Sequence, residues 1–257
     1  MRDMTFGIGT VAAVLTCVCA AGLAGAAESA DCAVAAPLVH ADYALPRLAA
    51  ALDRERRLTV VVVGAGSSTL GGPGGAALAY PARLEAVLAQ RLAGITTKVV
   101  ASVRPGRTAE EMAGTLGKIL TDEKPTLVIW QSGTVDAIKG VDPEDFRLTL
   151  DEGVEELQAG GADVVLMNMQ YSPRTESMIA INAYADGMRL VSQQREVSLF
   201  DRFAIMKQWS ELGVFDFFAA TRRLETAARI HECIAQLLAD LVRDGVKLSR
   251  TQQKANQ

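Results

Sequence analysis

The stretch Leu58–Gly72 constrains this chain more than any other: four consecutive valines run into Gly-Ala-Gly-Ser-Ser-Thr-Leu-Gly-Gly. A β-branched run without polar alternation predicts a strand buried on both faces, as in a parallel sheet. It ends abruptly in glycines and hydroxyls, and a helical pattern begins at Tyr80-Pro81. Open α/β sheets hold ligands and reacting groups beyond the carboxyl ends of their strands. Ser67 and Ser68 therefore hold the position best placed for chemistry.

The rest of the chain repeats the alternation. Strands are expected at Leu58–Val63, Thr97–Ala101, Thr126–Trp130, Asp163–Asn168 and Val197–Phe200. Helices are expected over Pro46–Arg54, Pro81–Leu92, Thr108–Leu120, Pro143–Ala159, Thr175–Arg195, Arg202–Leu212 and Leu224–Val242. Leu84, Val87, Leu88 and Leu92 form one apolar stripe, and Thr108 stands three residues before Glu111 with capping-box spacing. Such an order predicts a three-layer α/β/α sandwich around a central parallel sheet of about five strands, the flavodoxin-like plan. The 257 residues, 49% of them hydrophobic, suit one well-buried domain. A net charge of −4 and 5% aromatic residues offer neither a basic footprint nor a stacking platform, so nucleic acid is not an expected partner.

Residues 1–27 read as a secretory signal peptide: an early arginine, an apolar run from Phe6 to Leu23, then small residues around Ala24–Ala27. A membrane anchor is the other reading of that run, but its alanines, glycines and threonines are weakly apolar. Cleavage would leave no membrane span and place the protein in the periplasm or outside the cell. Residues 28–57 form a leading arm, 58–246 the domain and 247–257 a polar, frayed tail. Cys17 and Cys19 fall in the signal, leaving Cys32 and Cys233. In an oxidising compartment such a pair tends to join, and otherwise both are free buried thiols.

Gly64-Ala-Gly66 is half of a dinucleotide fingerprint, but Thr69 holds the third glycine's place and no helix follows at once. No Cys/His spacing suggests a metal, and no cofactor is expected.

Gly64-Ala-Gly-Ser-Ser-Thr-Leu-Gly-Gly72, Tyr80-Pro-Ala-Arg-Leu-Glu85, Gly106 and Trp130-Gln-Ser-Gly-Thr-Val-Asp136 follow one another in a telling order. Together they resemble the SGNH (GDSL-like) hydrolases along nearly the whole mature chain, in particular an exported branch reading G-S-S-S-T-A-G-x-G, then Y-P-x-R-L-E. The resemblance implies the same sandwich, a serine nucleophile after the first strand, backbone oxyanion donors at Gly66 and Gly106, and a small acylated or glycan-ester substrate. Thr134, Tyr171 and Arg174 would line the substrate pocket.

The departures are specific. Without a gap, the nucleophile position falls on Gly66; a frame shifted by one or two residues gives Ser67 or Ser68. The block-three asparagine is Val135, the second block's asparagine falls on Val103 or a neighbour, and the terminal histidine is Glu225. A hydroxyl without a base is a poor nucleophile, and one lost oxyanion donor costs about 10²–10³ in rate. The candidate bases are Glu225 and His231, the latter otherwise a partly exposed helical histidine, and Asp136 would orient a partner or cap the next turn. His231 lies two helical turns beyond the family's histidine position, about 9 Å along the axis. A non-catalytic binding or accessory protein on the same scaffold is the alternative to an ester hydrolase. The sequence gives no sign of oligomeric state.

Overall fold

The computed structural model describes Met1, residues 32–173, 176, 181–218, 221 and 223–255. The signal-peptide reading and Arg174 lie outside the described residues. Pro46–Arg54 (α1) leads into Arg57–Gly64 (β1), a 3₁₀ turn at Gly66–Ser68, Gly75–Leu78 (α2) and Tyr80–Arg91 (α3). Thr96–Val103 (β2), Ala109–Ala113 (α4), Leu116–Glu123 (α5), Leu127–Gln131 (β3), Thr134–Lys139 (α6) and Pro143–Ala159 (α7) follow. The chain continues through Asp163–Met167 (β4), Ile181–Arg195 (α8), Ser198–Phe200 (β5), Arg202–Glu211 (α9) and Arg223–Ala255 (α10).

The five strands are all parallel, in the order β2-β1-β3-β4-β5. The expected sandwich is therefore present, and alternation along β1 builds its two cores. Val60 and Val62 face a cluster with Leu48 of α1, Leu84 of α3, Trp209 of α9 and Ile234 of α10. Val61 and Val63 face the opposite cluster with Leu116 of α5, Phe146 of α7 and Met188 of α8. β2 is an edge strand, and Val99 N–H donates to the Glu85 carboxylate of α3 at 2.6 Å, which blocks part of that edge.

Three local features differ from the sequence expectation. The helix expected over Thr108–Leu120 is broken at Gly114-Thr115, where Thr115 Oγ1 bonds back to the Met112 carbonyl at 2.7 Å. A short helix, α6, starts after Gly133, whose φ of +100° turns the chain out of β3. The tail is not frayed: α10 runs on to Ala255, with Val246 and Ser249 buried and Arg250 paired with Asp53 of α1. Just before the tail, Leu45 N–H of the leading arm bonds the Gly245 carbonyl at 3.1 Å. Cys32 and Cys233 are joined as a disulfide, tying that arm to α10 across a sequence separation of 201. Among the described residues no helix is long and apolar enough to cross a membrane.

Candidate functional site

The strand order reverses direction between β1 and β3, the position where open α/β sheets leave a crevice at their carboxyl edge. The serines after β1 meet Gln131, the last residue of β3, across that gap. Gln131 Oε1 accepts hydrogen bonds from Ser67 Oγ (3.1 Å), Ser68 Oγ (2.9 Å) and Ala65 N–H (3.3 Å). Its Nε2 is buried without a partner. Ser68 is 1% exposed and also bonds the Tyr80 hydroxyl at 2.8 Å. Ser67 is partly exposed and lines a cleft of about 820 Å³. Of the two serines, Ser67 thus borders the cleft and Ser68 is buried.

Local backbone explains why this loop tolerates so little. Gly64 ends β1 where any side chain would run into Ser68 Oγ, with Gln131 Oε1 close behind. Gly64→Ala is expected to push Ser68 off Gln131 and lower stability by about 2 kcal/mol, a Tm drop of about 5 °C. Thermal unfolding checks this, and a Tm unmoved by the substitution would show that the loop yields.

His231 lies in the cleft wall, although it stands two turns into α10. Its Nδ1 accepts the Tyr80 backbone N–H at 2.9 Å, capping the first residue of α3. Burial, with Arg202 as a second cause, holds its pKa down to about 3. A neutral imidazole that accepts at Nδ1 carries its proton on Nε2. Toward the cleft, His231 therefore acts as a hydrogen-bond donor and not as the base expected of it.

The other expected acid–base groups are not brought to the serines. Asp136 Oδ1 accepts Ala109 N–H at 2.8 Å, and its Oδ2 accepts Gly133 N–H at 3.2 Å and Ser132 Oγ–H at 3.4 Å. It caps α4 and the turn after β3, and neither serine is among its partners; burial pushes its pKa up. Glu225 is exposed in the first turn of α10 and does not line the cleft. Among the described residues the last block therefore places no carboxylate beside the serines, because the helix turns Glu225 outward.

Gly66 lines the cleft beside Pro105, whereas Gly106, at φ +78°, stands exposed in the turn after β2 and outside the cleft lining. Tyr171 lines the cleft, edge-on to Phe203 at 5.3 Å and to Phe217 at 5.8 Å. Thr134 does not line it, and its hydroxyl is buried without a partner. Sequence reasoning missed Gln131 as the shared acceptor and Arg202 as a wall residue. Arg202 follows β5 directly, so the rule that placed the serines at a strand's carboxyl end also pointed to it.

Residues 31–248 match the family described as non-GDSL lipase-like. The chain belongs to that family. No curated protein sequence matches it. Among solved structures, this non-GDSL lipase-like chain superposes on TesA with a TM-score of 0.56 and 26% identity, over 71% of this chain and 99% of that one. A lipase/acylhydrolase from Enterococcus faecalis gives 0.56 and 17% over 71% and 95%, and the SGNH-hydrolase family esterase AlinE4 gives 0.50 and 21% over 65% and 81%. The fold of this non-GDSL lipase-like protein is that of the SGNH/GDSL-like hydrolases.

Proposed function

We propose that this protein is exported and binds a small acylated or glycan-ester molecule in the cleft beside Ser67, with ester hydrolysis reduced to a residual rate. One observation carries the reading: both serine hydroxyls donate to the amide oxygen of Gln131, and among the described residues neither has a carboxylate or an imidazole nitrogen as hydrogen-bond partner. An amide oxygen does not take up a proton near neutral pH, so Ser67 stays a hydroxyl. The disulfide between the leading arm and α10 supports an oxidising compartment.

Loss of a serine enzyme's base costs on the order of 10⁶ in kcat. Turnover of p-nitrophenyl acetate is therefore expected at that remove from an intact serine–histidine pair, and Ser67→Ala should leave it unchanged. A fluorophosphonate should leave Ser67 unmodified. The second reading is a working esterase with Ser67 as nucleophile and Glu225 or His231 as base. It is favoured by the place of Ser67 on the cleft wall at the end of the first strand. Stoichiometric labelling that disappears in Ser67→Ala would replace the binding reading with this one.

A further inference from the structure

Arg202 opens α9 and is 1% exposed, yet no carboxylate pairs with it among the described residues. Its Nη1 donates to the Ser67 carbonyl at 3.0 Å, its guanidinium carbon sits 5.7 Å from the Tyr80 ring centroid, and its Nε has no partner. Arg91 and Arg195, both more exposed, are each paired with carboxylates. An unpaired cation taken out of water keeps a desolvation penalty even after relaxation. A carbonyl and the face of an aromatic ring offset part of that cost, and no counter-charge completes it.

Arg202 lines the same cleft as Ser67 and His231. His231 also lines it and carries its proton on Nε2, so the two wall residues bring N–H groups, and Arg202 a positive charge. The same lining carries apolar side chains, Leu70, Met206, Phe217 and Ile230. The acid in the lining, Asp216, is exposed and accepts the Phe218 backbone N–H at 2.8 Å.

We infer that the cleft takes a ligand with an anionic head on an apolar chain, a carboxylate or a phosphate ester, and that Arg202 is its counter-ion. This rests on the reading of the cleft as a ligand site and names the ligand class. It differs from neutral-ester recognition, which would leave the guanidinium unpaired.

The test is calorimetric titration of the intact chain with decanoate, decyl phosphate and 1-decanol as the neutral control. Either anion is expected to bind at least tenfold more tightly than decanol, and the tighter of the two identifies the head group. Arg202→Gln should remove that preference while Arg202→Lys keeps part of it. Nitrogen-15 NMR of His231 gives a reading that needs no variant: a bound anion beside the imidazole should raise its pKa. Equal binding of decanol and decanoate, or no movement of the His231 titration at saturating anion, overturns the inference. Equal binding would leave the ligand-site reading standing, whereas labelling of Ser67 by the fluorophosphonate would replace the non-catalytic reading with an esterase without touching the anion preference.

Discussion

Cys32→Ser is expected to lower stability by about 3–5 kcal/mol and Tm by about 10 °C. The reason lies in the unfolded chain. A bond between Cys32 and Cys233 closes a loop across a separation of 201 residues, and the chain-entropy relation gives roughly 5 kcal/mol for a loop that long. Both cysteines are buried, so the serine hydroxyl adds a small cost of its own. The arm keeps other anchors: Ala35 N–H bonds Gln208 Oε1 at 3.1 Å and Tyr43 N–H bonds Ser198 Oγ at 3.2 Å. The native fold should therefore persist in the variant, with the loss seen in thermal or urea unfolding and not in the secondary-structure content. Treating the wild type with reductant should reproduce the loss. A reduced protein that melts with the oxidised one would mean that the bond constrains nothing.

His231 should make stability fall as the pH falls below about 6.5. Its folded pKa of about 3 lies below the 6.5 of a free imidazole, so the unfolded chain takes up a proton in that window while the native state refuses it. The unfolded state then binds more protons, and stability drops by about 1.4 kcal/mol per pH unit. Protonation would also set an Nδ1–H against the Tyr80 N–H that it now accepts. Asp163 works in the opposite sense. Burial lifts its pKa to about 6 from 3.8, so between those values the native state holds the extra proton and gains stability as the pH falls. The two slopes largely cancel between pH 6 and pH 4. The His231 contribution is therefore isolated by comparing wild type with His231→Asn. The stability advantage of wild type over the variant should shrink by about 3 kcal/mol between pH 7 and pH 4. Parallel unfolding curves at both pH values would show that His231 titrates normally.

These two effects share an element. α10 carries both Cys233 and His231, and it packs closely on α3 and the leading arm. The helix that lines the cleft is thus fastened within a single turn, to the arm through the sulfur of Cys233 and to α3 through the imidazole of His231.

Much of this architecture was determined by the sequence itself. The valines of β1, the strand–helix alternation and the stripe along α3 are local patterns, and burial on two faces leaves them one parallel-sheet solution. The serine loop was legible for the same reason, since its place at the end of β1 follows from the strand. What the serines touch was decided only in three dimensions. Gln131 and Ser67 are 64 positions apart, and Arg202 and Ser67 are 135 apart. The sheet order that brings them together is a property of the whole core. Asp136 and Glu225 looked equally suited to acid–base work by residue type. Backbone N–H groups claimed the first, and the turn of α10 faced the second into water. Residue type sets what a side chain can do, whereas packing selects which neighbour it does it to, because hydrogen bonds and charges act over a few ångströms and sequence distance does not enter.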